Sequence, residues 1–250
     1  MKSLTRMEVQ NVDRCASEEF GLAGIVLMEN AGCHAAELLA GLLPRASRVC
    51  VVCGKGNNAG DGFVIARHLD AMGIGVQLLL ALPPASLTGD AAINYRVVER
   101  AGLPVEDLSR AGEDQWRRAL GAAQADWIVD ALLGTGAVGV VSGPVATAIA
   151  AINAVRQAPH ARLRVFAVDL PSGMDCDSGL PLGRCVRADV TATFVARKAG
   201  FAAVGAAELT GPVHLLGIGV PRVLLERMGL EAEFNRPGVS AAGTSSPGHP

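Results

Sequence analysis

Three segments of this chain combine glycine, amide, hydroxyl and carboxylate groups where an apolar run breaks. They are VVCGKGNNAGDGFVIARHL (Val51 to Leu69), WIVDALLGTG (Trp127 to Gly136) and FAVDLPSGMDCDSG (Phe166 to Gly179). In the first, Gly54, Gly56, Gly60 and Gly62 permit positive φ and close approach of the backbone to a ligand. The helix expected to follow offers unpaired N–H groups and a positive dipole end, which together suit a phosphate. Asn57 and Asn58 add amide donors and acceptors, and Asp61 is either part of that site or the N-cap of the helix. Asp130 and Asp169 each end an apolar run, where a carboxylate either forms a turn or belongs to a crevice. Asn58, Asp130 and Ser172 would together present hard oxygen donors without sulfur or imidazole. Such a set suits an alkali or alkaline-earth cation better than zinc, and the residues alone do not choose the cation.

Other motifs carry less. Gly54-x-Gly56-x-x-Ala59 matches the short dinucleotide fingerprint of dehydrogenases, but the acid expected about 20 residues later for the ribose is missing. Leu80-Ala81-Leu82 and two prolines stand there instead. The loop has no G-K-[ST] ending, so it is not a P-loop. Ser172 lacks the G-x-S-x-G context of a nucleophilic serine, and no histidine follows in an obvious triad order. His34 and His68 read as surface or packing residues, Asp175 and Asp177 as a solvated turn, and Lys198 as a surface lysine or a phosphate contact. Met28-Glu29-Asn30-Ala31-Gly32 reads as a helix-packing stretch, or else as a border of the pocket. Cys50 and Cys53 form a C-x-x-C inside the strand-like run RVCVVCG; three residues apart on a strand, they face opposite ways. No second Cys or His pair completes a zinc site.

These loops need a scaffold that brings them together. Helical patterns alternate with short apolar runs, which argues for an α/β fold with a mainly parallel sheet covered on both faces. Strands are expected at Val49–Cys53, Val76–Leu80, Trp127–Asp130, Leu163–Asp169, Val190–Val195 and Val213–Leu216. Helices are expected at Leu4–Phe20, Ile25–Leu43, Gly62–Met72, Gly89–Ala101, Glu113–Ala122 and Pro144–Val155. In such a sheet the loops after the strands' carboxyl ends line one crevice. The domain spans about residues 1–235. The Gly/Ser/Pro-rich stretch PGVSAAGTSSPGHP, within 236–250, is expected to be a disordered tail.

Half of the 250 residues are hydrophobic and 18% are charged, which supports a sizeable buried core. A net charge of −2 gives no basic footprint for nucleic acid, and 4% aromatic residues give few stacking platforms. No apolar run reaches membrane-spanning length. The N-terminus lacks the apolar run of a secretory signal, so a cytoplasmic location is expected, with reduced thiols.

With VLMENAG, NNAGDG, VDALLGTG, VDLPSGMDCDSG, TATFVARKAG and HLLGIGVP in place, the chain resembles the NAD(P)H-hydrate epimerases, the YjeF N-terminal domain, over about residues 5–221. The resemblance implies a Rossmann-like three-layer αβα sandwich, a homodimer and a potassium ion held by Asn58, Asp130 and Ser172. It also implies substrate contacts at Asn57, Asn58, Ala59, Gly60 and Asp61, then at Gly134, Thr135, Gly136, Ala137, Val138, Gly139 and Val140, and at Asp169. Ala59 replaces a glycine found in many members, and residues 137–141 lack the basic residue many carry nearby. The substrate class implied is NADHX or NADPHX, the hydrates with water added at C6 of the reduced nicotinamide ring. The dehydratase of the same metabolite-repair pathway is then a separate protein.

C6 bears both a hydroxyl and the ring nitrogen, so its configuration can invert without redox chemistry. Either the hydroxyl leaves and returns, or the ring opens to an aldehyde and recloses. Both routes need proton transfer and charge stabilisation, and Asp169 is the candidate acid/base group. The alternatives are a non-catalytic nucleotide-ligand-binding or scaffold module of the same fold, and a nicotinamide-dependent dehydrogenase. The intact Asn58, Asp130, Asp169 and Ser172 argue against the first, and the missing ribose acid argues against the second.

Overall fold

A computed structural model describes residues 2–44, 46–158 and 162–230. The 236–250 tail lies outside the described residues. Seven parallel strands form the central sheet in the order β4-β3-β2-β5-β6-β7-β9. They are β2 (Arg48–Cys53), β3 (Gly75–Leu80), β4 (Val105–Asp107), β5 (Trp127–Ala131), β6 (Arg164–Val168), β7 (Val190–Phe194) and β9 (Val213–Leu216). A two-stranded parallel sheet joins β1 (Ser3–Leu4) to β8 (Arg197–Lys198).

Alternation along β2 shows how the layers form. Val49, Val51 and Cys53 face one core, shared with α1 (Arg6–Glu18), α2 (Gly24–Leu42), α3 (Asn57–Ala71), α4 (Gly89–Arg100) and α8 (Arg222–Arg227). Cys50 and Val52 face the other, shared with α5 (Glu113–Ala122) and α6 (Gly143–Arg156), where Trp116 is fully buried. The two cysteines therefore lie on opposite faces of the sheet, as their spacing required, and both are free thiols. A short helix α7 (Ala206–Thr210) precedes β9. The result is a three-layer αβα sandwich.

All six strands expected from the sequence are present. β4 was not anticipated, because its three residues carry two acids and pair only at the sheet edge. The two-residue β1 and β8 are too short to leave a pattern. The helix expected from Gly62 begins five residues earlier, at Asn57. Its first turn is the NNAG segment itself, so the residues read as a loop before a helix are the helix. The first helix opens at Thr5 with a capping box, Thr5 pairing reciprocally with Glu8.

Candidate active site

From β2 the chain runs outward through β3 and β4, then returns to β5 on the other side of β2. This reversal opens a crevice at the strands' carboxyl ends. The two loops that leave β2 and β5 touch through backbone. Gly54 N–H donates to Ala131 O at 3.1 Å, and a Cβ on Gly54 would sit 2.1 Å from Leu132 O. Gly62 is likewise pressed on Ala131, 2.6 Å from where its Cβ would be. None of the four loop glycines has positive φ. Their expected conformational role is thus replaced, at Gly54, Gly60 and Gly62, by a steric one: these three let a helix and two strand ends approach, whereas a Cβ on Gly56 would meet nothing within 4 Å.

A cavity of about 600 Å³ lies here, reached by Asn57, Asn58, Asp61, Gly134, Thr135, Gly136, Ala137 and Asp169. Gly56 is the N-cap of α3 and supplies no side-chain cap. The first intrahelical bond is Gly60 N–H to Gly56 O at 3.2 Å, so the N–H groups ahead of it open toward the cavity mouth. Ala59 and Gly60 face away into packing, Gly60 against Met28 and Ala91. Asp61 is not the N-cap; it lies one turn into α3, on the same face as Asn57. Burial, then Asp169 and Asp13, push its carboxyl well above the ordinary carboxylate range, against the pull of Lys198.

Asn58, Asp130 and Ser172 come together around Leu133. Asn58 Nδ2 donates to Leu133 O at 2.9 Å, and Leu133 N–H donates to Ser172 Oγ at 2.8 Å. Ser172 donates to both oxygens of Asp130, Oγ at 2.5 Å and N–H at 2.7 Å. Because Asn58 Nδ2 is committed to a carbonyl, its Oδ1 is fixed as an acceptor, and it is buried without a hydrogen-bond partner. Asp130 is fully buried, has no ion pair among the described residues, and is pushed up to about 6 by burial despite its hydrogen bonds from Ser172 and Leu132. An orphaned amide oxygen beside a buried, unneutralised carboxylate and a hydroxyl fits an oxygen-coordinated cation. Among the described residues no cluster of three His, Cys, Asp or Glu side chains forms a transition-metal site.

Sequence reasoning underrated Lys198. Its side chain is 1% exposed, and its Nζ lies 2.6 Å from Asp169 Oδ1. The ammonium also donates to Phe194 O at 3.0 Å and Ala196 O at 3.4 Å. Asp169 sits one residue past β6 with φ of 66°, and Val195, also lining the cavity, has φ of 65°. Positive φ is uncommon for aspartate and a strained outlier for a β-branched residue; such strain concentrates at functional sites. Asp13 of α1 joins the group. It is accessible through the open cavity, yet the protein crowded around it pushes its carboxyl up to about 6, with help from Asp169. Nothing local in the sequence marked Asp13, which reads as an ordinary polar position on an amphipathic helix. The signal for Lys198 was its place in TATFVARKAG.

The remaining residues sort by contact. Val138, Gly139 and Val140 do not line the cavity, and the two valines are 72% and 78% exposed. Thr135 O is held by Arg6 Nε at 2.7 Å, and Arg6 also pairs with Asp175, so Asp175 is an anchor rather than a solvated turn residue. In MENAG, Met28 borders the cavity, while Glu29 bridges Arg67 and His68 on α3. Asn30 and His34 bond the backbone of Ile218 and Gly217. Both sequence readings of that segment therefore hold, residue by residue.

An open parallel sheet with a polar crevice at its switch point defines a Rossmann-like α/β protein. The chain belongs to the family described as YjeF-related protein N-terminus, whose model matches residues 24–200. It is 47% identical over 224 residues to a Pirellula staleyi protein named NAD(P)H-hydrate epimerase, covering 89% of this chain and 95% of that one. A Rhodopirellula baltica protein of the same name is 42% identical, with 90% and 87% covered. A Thermofilum pendens protein named bifunctional NAD(P)H-hydrate repair enzyme Nnr is 39% identical over 95% of this chain, which spans 44% of that longer protein. The fold matches the crystal structure of yeast ynu0, YNL200c, at a TM-score of 0.79 and 21% identity, over 98% of each chain.

Proposed function

We infer that this chain is an NAD(P)H-hydrate epimerase, an isomerase that interconverts the R and S forms of NADHX or NADPHX at C6. The observation that carries this is the 47% identity to a relative of that name over 95% of the relative's length. The test is to incubate the purified protein with one resolved epimer and follow the other by chromatography. Epimer interconversion well above the uncatalysed rate is expected. Hydride transfer from NADH to an added acceptor, or no reaction at all, would refute the assignment.

The site suggests how the work is divided. The start of α3, where Gly56 and Asn57 are exposed beside Lys55, takes the phosphates through N–H groups and the helix dipole. Gly134 to Ala137 form the facing wall. Asn58, Asp130 and Ser172 would hold a potassium ion, which would neutralise the buried carboxylate and fix the loops that carry the substrate. Asp169 is the acid/base group at C6, its carboxylate held in place by Lys198 and by Thr193 Oγ1 at 3.3 Å. A homodimer is part of this reading, as is a dehydratase activity that consumes one epimer.

A further inference from the structure

Resting on the epimerase reading, we propose that inversion proceeds by loss and re-addition of the C6 hydroxyl. In this scheme Asp61 protonates the departing oxygen, and Asp169 takes the proton of the water that returns. The C6–O bond breaks as the Asp61 proton reaches the hydroxyl, and water leaves. The lone pair of N1 forms N1=C6, so a cation spreads over these two atoms. A different water molecule adds to the opposite face of C6 and gives its proton to Asp169. The ring is then restored with inverted configuration and no net change in protons. The reverse reaction uses the opposite protonation states of the same pair.

Three observations point this way. First, the cavity is lined by four carboxylates, Asp13, Asp61, Asp90 and Asp169, against two ammonium groups, Lys55 and Lys198. Hydroxyl loss leaves a cation, which such a lining stabilises. Ring opening instead drives the electron pair of the N1–C6 bond onto nitrogen, which needs a positive partner there. Second, Lys198 cannot readily be that partner. Its three N–H bonds are directed to Asp169, Phe194 O and Ala196 O, and an ammonium has three donors. Lys55 adjoins the phosphate-facing turn of α3.

Third, Asp61 reaches the cavity with no side-chain hydrogen bond or ion pair among the described residues, and it comes from α3, whereas Asp169 comes from the end of β6. Two carboxyl groups on different elements can serve two faces of a ring between them. Burial pushes the Asp61 carboxyl well above the ordinary carboxylate range, the direction an acid requires.

The test uses the intact wild-type enzyme and one NADHX epimer in water enriched in oxygen-18. The reaction is stopped before uncatalysed exchange matters, and the inverted product is weighed by mass spectrometry. One solvent oxygen per inverted molecule is expected. Inverted product that retains its original oxygen would establish ring opening and overturn the proposal while leaving the epimerase reading intact. Absence of catalysed inversion would remove both. For the acid itself, Asp61→Asn should slow inversion by about 10²-fold or more, the usual scale of general acid catalysis. The variant's circular dichroism and melting should match a folded protein, and its residual inversion should still take up solvent oxygen. A folded Asp61→Asn variant that turns over near the wild-type rate would exclude Asp61 as the acid.

Discussion

Asp169 and Lys198 form one electrostatic unit, and that changes what a substitution at either does. Lys198 is buried at 1% exposure, and its charge is balanced by the Asp169 carboxylate 2.6 Å away. An isolated strand-end carboxylate could be changed to the amide with loss of chemistry and little change in stability. With the pair in view, the same change leaves an ammonium buried with only carbonyl partners. Breaking a buried pair from one side typically costs on the order of 3 kcal/mol. Asp169→Asn should therefore slow epimerisation by about 10²-fold or more and also lower the melting temperature. Lys198→Met in the same chain should recover much of the melting temperature and none of the rate. Denaturant melts and turnover of the two single variants and the double variant check this. Full activity in Asp169→Asn would take Asp169 out of the chemistry, and additive losses of stability would show the two residues to be independent.

At the scale of elements, the glycines of the first loop illustrate what a sequence displays and what it withholds. They read as room for positive φ and for a ligand; at Gly54, Gly60 and Gly62 the structure shows instead a tight approach of protein to protein. Its partner was not readable, because Leu132 lies 78 residues away, just past the end of β5, and touches Gly54 only through the parallel register of β2 and β5. The strands themselves were legible, since runs buried on both faces need apolar residues throughout. The start of α3 was not: Asn-Asn-Ala-Gly has weak helix propensity, and tertiary contacts from Met28, Leu133 and Ala131 override it. Asp130 and Asp169 were legible as strand-end residues, and Ser172 as a hydroxyl in the turn that follows. Lys198, which balances the charge of Asp169, and the orphaned oxygen of Asn58 required the fold. Gly54→Ala should cost about 2–3 kcal/mol, because its new methyl group meets backbone rather than a side chain that can rotate away. Gly56→Ala, where nothing lies within 4 Å and φ is −91°, should melt close to the parent protein. Equal melting of the two variants would show that the β2 and β5 loops are not locked together.

At the scale of the whole molecule, the cavity is assembled from the entire described chain: Asp13 near its start, α3 and Leu133 in its middle, Lys198 and Ile218 toward its end. A ligand of the oxygen site therefore stabilises the complete fold rather than one loop. A cation that binds only the folded state contributes RT ln(1 + [L]/Kd), about 2.7 kcal/mol at a concentration one hundred times Kd. For a domain of this size that corresponds to a rise in melting temperature of roughly 5–10 °C. Thermal unfolding in potassium chloride should exceed that in tetramethylammonium chloride at equal ionic strength by such a margin. General salt screening cannot produce the difference, because both salts screen alike. Asn58→Ala removes the unpartnered oxygen while leaving Asp130 and Ser172 bonded to each other, so its melting temperature should become nearly the same in the two salts. Identical melting of the parent protein in both would mean that Asn58, Asp130 and Ser172 are a polar buttress joining the three loops and not a cation site.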